Sequence, residues 1–216
     1  MVELFKHILH LDFEWLFATY GTLIYVVLFL VIFIETGVVA MPFLPGDSLL
    51  FTAGLFCVPQ PGATEAPLSL PILIGLLFLA AILGDNCNYW IGRKLGLRVF
   101  NYKLKGKPLV KKEYLDKTHE FFEKHGTKAI IMARFVPFVR TFAPFAAGVG
   151  EMSYRRFFSF DVVGGGLWVC SLSIAGYLLG GVDFIRKHID LVCLGIILIS
   201  VLPILVSALK NRFAKN

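Results

Sequence analysis

Two stretches of the chain are as apolar as a membrane span, yet both carry charge and proline near their centres. Residues 129–150 include "ARFVPFVRTFAPFAAG", with Arg134, Arg140, Pro137 and Pro144; residues 35–58 read "ETGVVAMPFLPGDSLLFTAGLFCV", with Glu35, Asp47, Pro42 and Pro45. Proline removes a helical hydrogen bond and clashes with the preceding turn. A charged side chain at the bilayer centre costs about 2.5–3.5 kcal/mol on insertion scales. Non-helical backbone at that depth persists only where protein or water satisfies its polar groups. The two stretches are therefore expected to fold as re-entrant hairpins around a polar cavity, broken at Pro42, Pro45, Pro137 and Pro144.

The rest of the chain supplies the membrane context. Hydrophobic residues make up 57% of the 216 and the mean hydropathy is +0.75, which excludes the ordinary soluble class. Apolar runs at 15–34, 68–92, 157–180 and 189–209 are each long enough to cross about 30 Å of hydrocarbon. The expected fold is an all-α integral membrane protein with about four transmembrane helices plus the two hairpins, in a single domain over 1–216. Residues 1–14 alternate polar and apolar groups at helical spacing, as in an interfacial helix or an ordinary first turn leading into a span, and are expected to be retained, without the features of a cleaved signal peptide. Within the basic stretch 93–128, "EYLDKTHEFFEKHG" reads as an amphipathic helix stopped by Gly126.

Charge sets the orientation. The 93–128 stretch holds eleven Lys and Arg against Glu113, Asp116, Glu120 and Glu123, so it is expected on the cytoplasmic side. The 35–58 hairpin then enters from the periplasm and the 129–150 hairpin from the cytoplasm, with both termini cytoplasmic. "PFLPGDSLLFTAG" and "PFVRTFAPFAAG" share a Pro-Phe start and an Ala-Gly exit, and the span following each ends in a Gly-x-x-x-Gly, Gly92 to Gly96 and Gly176 to Gly180. Inverted repeats of this kind mark secondary transporters, whose sites form where paired broken helices meet.

The charged residues indicate the cargo. Arg134 and Arg140 offer fixed forks of donors suited to a phosphate or other oxyanion, and broken-helix N-termini add to the positive field. Carboxylates withdrawn from water, Glu35 and Asp47, can take up and release protons near neutral pH. Plainer roles stand beside these. Glu35 fits a span boundary and Asp47 a helix N-cap in competition with Ser48; the arginines fit snorkelling or structural ion pairs with the two carboxylates. Asp85 suits either an extension of the polar pathway or a helix-to-helix hydrogen bond, and Asp161 reads as interfacial. Cys57, Cys87, Cys170 and Cys193 form no metal-binding or disulfide pattern with one another or with the histidines, so no metal or cofactor is expected.

The stretches "FIETGVVAMPFLPGDSLLFTAG", "GDNCNYWIGRKLG", "YLDKTHEFFEKHG" and "ARFVPFVRTFAPFAAGVGEMSYRRF" resemble the DedA family of bacterial inner-membrane proteins, part of the superfamily that includes the eukaryotic VTT-domain lipid scramblases. The resemblance implies opposed re-entrant hairpins, a function dependent on the proton-motive force, and translocation of undecaprenyl phosphate or phospholipid. It also implies an acidic pair and an arginine pair, which fall on Glu35, Asp47, Arg134 and Arg140.

The expected function is thus a proton-linked flippase or scramblase of a lipid phosphate, with Arg134 and Arg140 binding the headgroup and Glu35 and Asp47 coupling protons. A proton-coupled small-cation antiporter is the alternative that the carboxylates allow and the arginines oppose. A membrane enzyme such as a lipid phosphatase would need a nucleophile with its base, and no such pair is visible. A structural role in envelope assembly and a homo-oligomeric state are both left open, and a nucleic-acid partner is not expected.

Overall fold

The computed structural model describes residues 21–37, 46–59, 64–101, 103–104, 107–108, 131, 134, 137–182, 185, 191–192 and 195. The expected interfacial helix, the cytoplasmic amphipathic helix, Pro42, Pro45 and nearly all of the last span lie outside these residues.

A short 3-10 turn, Gly21–Leu23, leads into α1 (Ile24–Gly37). Then come α2 (Gly46–Leu55), α3 (Leu70–Asn101), α4 (Pro137–Val149) and α5 (Tyr154–Leu179). Two of these pass the length and apolarity needed to cross a membrane, within Leu70–Leu95 and Tyr154–Leu179. At 1.5 Å per residue α2 and α4 reach only about 15 and 20 Å, so neither crosses a bilayer alone.

Several boundaries differ from those expected. Helix α1 does not end before Glu35 but continues to Gly37, which keeps that carboxylate on the helix. Helix α3 runs past residue 92 to Asn101, because the Arg, Lys and Leu residues that follow Gly92 are good helix formers. Beyond it, Lys103–Leu104 pairs antiparallel with Lys107–Pro108. The expected break at Pro144 does not occur, and α4 passes through it. Proline there leaves the carbonyl of Arg140 without its helical donor, but α4 keeps its course through its packing against α3. Pro137 opens α4, where a missing N–H is harmless.

The chain divides into two compact units. One comprises Met1–Ile32, Phe43–Leu79 and Leu167–Asn216; the other comprises Phe33–Pro42 and Ala80–Gly166. In the first, α2 lies against the second half of α5 so closely that a Cβ at Gly54 would overlap the carbonyl oxygen of Ser173, and one at Gly176 would overlap that of Phe51. In the second, a Cβ at Gly92 would overlap the carbonyl oxygen of Phe145, and one at Gly148 that of Tyr89. The two crossings follow one rule: each glycine sits on the carbonyl three residues before its partner glycine. The tetrapeptides are FTAG with SIAG, and FAAG with YWIG. Gly92 and Gly176 thus serve close packing within one chain.

The second unit has a further close crossing and a fixed corner. Gly84 of α3 meets Thr36 and the backbone of Phe33 on α1, and a Cβ on Gly37 would stand 3.3 Å from the Gly84 Cα. The corner between α4 and α5 is a Schellman turn: Met152 N donates to Ala147 O (3.0 Å) and Glu151 N to Gly148 O (3.2 Å), with Glu151 at φ 56°. Met152 and Ala147 pack with Tyr89 and Phe157 beneath it. Tyr89 stacks on Phe157 at 4.5 Å and donates its hydroxyl to Met152 O at 2.5 Å.

Candidate functional site

The second unit gathers ionisable side chains that a membrane protein would ordinarily keep at its surface. Arg134 and Arg140 are 5% and 8% exposed, and Glu35, Asp85 and Asp161 are between 0% and 2%. Arg134 Nη2 donates to Asp85 Oδ2 on α3 and to Asp161 Oδ1 on α5. Arg140, on α4, donates from Nη2 to Glu35 Oε1 on α1. The site therefore consists of an Asp–Arg–Asp triad and an Arg–Glu pair.

Local sequence explains why the helices can hold these groups. Gly164 and Gly165, three and four residues after Asp161, clear the face of α5 on which Arg134 lies. A Cβ at Gly164 would stand 3.3 Å from Arg134 Cδ, and one at Gly165 would stand 3.4 Å from its Cζ. The α1–α3 crossing at Gly84 brings the end of α1, with Glu35, against α3. Asn88, one turn beyond Asp85, fixes the same junction: its Nδ2 donates to Thr36 O at 3.1 Å and to Thr141 O at 2.7 Å. Thr36 O belongs to the last turn of α1, where carbonyls lack helical donors. Thr141 O lies in the turn that Pro144 disturbs. One buried amide thus ties α1, α3 and α4 together.

The expected arginine pair is buried, but the two guanidiniums bind different acids. The structural ion-pair reading of the sequence accounts for Arg140 with Glu35. It does not account for Arg134, whose partners are Asp85 and Asp161. Asp161 is not interfacial as expected; it is fully buried, since the small residues after it let α5 close over the guanidinium. Asp47 belongs to the first unit. Helix α2 begins at Gly46, so Asp47 lies in the first turn, where a carboxylate is favoured by the helix dipole, and its Oδ1 accepts a 2.8 Å hydrogen bond from Trp168 Nε1. Among the cysteines Cys57 is buried, whereas Cys87 is exposed.

Asn88 is the residue that sequence reasoning passed over, and Asp161 the one it placed at the interface. Their signal lies in spacing: Asn88 follows Asp85 by three, and Gly164 and Gly165 follow Asp161 by three and four, which places each set on one helix face.

The family model described as VTT domain matches residues 44–178. Protein DedA of Escherichia coli (strain K12) is 45% identical over 98% of this chain and 94% of its own length. An uncharacterized membrane protein of Mycobacterium tuberculosis (strain ATCC 25618 / H37Rv) is 43% identical over 94% of this chain and 87% of its own. Inner membrane protein YqjA of Escherichia coli (strain K12) is 37% identical over 78% and 73%. No solved structure matches the chain. With its two membrane-length helices and a family match over more than half of its length, the chain is a membrane protein that belongs to the VTT-domain, or DedA, family.

Proposed function

We propose that the protein is a lipid flippase or scramblase of the bacterial inner membrane, moving a lipid phosphate such as undecaprenyl phosphate or a phospholipid in a proton-linked cycle that supports envelope maintenance. The observation that carries this reading is the burial of Arg134 and Arg140 among apolar helices. A guanidinium in such a place is costly to keep, and the fork of donors it presents is matched to phosphate oxygens. In this reading α2 and α4, too short to span, are the returning arms of re-entrant hairpins, entered from the periplasm and the cytoplasm respectively.

The carboxylates are counter-ions that the headgroup replaces. Each arginine is bound to acid groups of the protein itself, so the site is neutralised when empty, and an arriving phosphate competes for the same donors. Glu35 and Asp47 exchange protons as the cargo comes and goes. The test is headgroup accessibility in proteoliposomes loaded with undecaprenyl phosphate or phospholipid, with and without a pH gradient. Protein-dependent exposure of inner-leaflet headgroups is expected, falling to the protein-free rate in Arg134→Ala and Arg140→Ala. Absence of any movement by the native protein under both conditions refutes the reading.

A second reading, a proton-coupled small-cation antiporter, draws support from one observation: among the described residues of the unit, the buried carboxylates Glu35, Asp85 and Asp161 outnumber the buried arginines Arg134 and Arg140. It requires that added sodium or potassium collapse a preset pH gradient in vesicles holding the protein and no lipid phosphate.

A further inference from the structure

Among the described residues, the second unit carries more buried negative than positive charge. Glu35, Asp85 and Asp161 face Arg134 and Arg140, so with every one of these groups ionised the acids exceed the guanidiniums by one. An uncompensated charge in a protein interior costs several kcal/mol, and acquiring a proton avoids that cost. The pairings locate the excess. Glu35 is bound to Arg140, which leaves a single guanidinium between Asp85 and Asp161.

Both aspartates accept from the same nitrogen, Arg134 Nη2, so their carboxylates stand side by side. Two acids so placed behave as a dyad that shares one proton. Asp161 Oδ2 is buried with no hydrogen-bond partner among the described residues, and an isolated carboxylate oxygen away from water is better as part of a neutral acid than as an anion. Among the described side chains of the helices packed here, Arg140 acts on Asp85 through its field, Arg93 donates to Met152 O and Tyr89 Oη at the corner, and Lys94, Arg155 and Arg156 are exposed.

We infer that Asp85 and Asp161 hold one resident proton between them, and that a phosphate binding at Arg134 frees the ionised member of the pair, which then takes a second proton. The ligand half of this rests on the lipid-phosphate reading; the resident proton rests on the triad alone. In the exchange, Arg134 transfers its hydrogen bonds from carboxylate to phosphate oxygens. The released carboxylate forms an O–H bond with a proton from the aqueous phase, and no bond to phosphorus is made or broken. One cation contested by two kinds of anion thereby links cargo binding to proton uptake. This places coupling on two aspartates in addition to Glu35 and Asp47.

Two measurements on the full-length protein in nanodiscs test it. Infrared spectroscopy at neutral pH without ligand should show a protonated-carboxyl band that is lost in Asp161→Asn and in Asp85→Asn, since one aspartate left with Arg134 is fully compensated; Asp47→Asn should leave it in place. Calorimetry with inorganic phosphate and a short-chain isoprenyl monophosphate follows, in buffers of different protonation enthalpy at about pH 8, where a phosphate monoester enters as the dianion. Proton uptake per phosphate bound should be about one higher in the native protein and in either single variant than in the double variant Asp85→Asn/Asp161→Asn, which keeps only the contribution of Glu35 and Asp47. A band that is absent from the native protein, or that survives in both single variants, overturns the resident proton whatever the ligand. Normal band behaviour with neither phosphate probe bound overturns the carrier reading, and the coupling with it. Binding with unchanged proton uptake in the double variant overturns the coupling alone.

Discussion

Replacing Gly148 with alanine should destabilise the protein, while the same change at Gly75 should not. Gly75 lies on the exposed side of α3 with nothing within 4 Å of a built Cβ, whereas a Cβ at Gly148 falls on the Tyr89 carbonyl oxygen and 2.8 Å from the Arg93 nitrogen. These are backbone atoms, which cannot rotate aside, so α4 and α3 must separate by about 1 Å to restore ordinary contact, and such a gap forfeits a quarter to a half of each dispersion well along the seam. Overpacking of this kind costs about 1–3 kcal/mol, against a helix-propensity gain of roughly 0.5–1 kcal/mol for Gly→Ala. The net loss at Gly148 is up to about 2.5 kcal/mol, and Gly75→Ala should gain up to about 1 kcal/mol. Gly176→Ala should resemble Gly148→Ala, because Gly176 meets the Phe51 carbonyl in the same way. Thermal unfolding in detergent, followed by fluorescence-detected size exclusion, should rank Gly75→Ala at or above the native protein and the other two below it. Equal shifts at Gly75 and Gly148 would refute the close-crossing argument.

Three further outcomes can be measured in the same way. Arg134→Met leaves Asp85 and Asp161 without their shared cation and should cost about 3–5 kcal/mol; adding Asp85→Asn and Asp161→Asn should restore much of that loss. Asn88→Leu removes the amide hydrogen bonds to Thr36 O and Thr141 O, at about 0.5–1.5 kcal/mol each, and should increase hydrogen exchange at the end of α1 and in the middle of α4. Glu151 holds a left-handed backbone at φ 56°, so Glu151→Gly should raise stability by about 1 kcal/mol and leave any transport rate unchanged.

The membrane character and the burial of the two arginines were legible in the sequence because each follows from transfer cost. Apolar runs of spanning length are rarely anything else, and a guanidinium inside one demands a partner. The pairings were not legible. Arg134 selects Asp85 and Asp161 across sequence separations that no local pattern encodes, and only the glycines after Asp161 hint that a large side chain must fit there. The likeness of the two broken segments was visible as Ala-Gly exits, but the reciprocal contact of each glycine with a carbonyl depends on how helices from different parts of the chain meet. Pro144 misled because a proline in an apolar run suggests a break, whereas an amide from Asn88 on α3 can supply a hydrogen bond in the turn it disturbs.

The central claim is that the buried guanidiniums receive a phosphate headgroup. Dipolar dephasing between 15N-labelled arginine side chains and the 31P of undecaprenyl phosphate, in nanodiscs of otherwise phosphate-free lipid, measures this directly. Close 15N–31P contacts that persist when Arg93, Arg98, Arg155, Arg156, Arg186 and Arg212 are changed to lysine, and that vanish in Arg134→Lys/Arg140→Lys, are the predicted result. Contacts that disappear with those six arginines and are indifferent to Arg134 and Arg140 would contradict it.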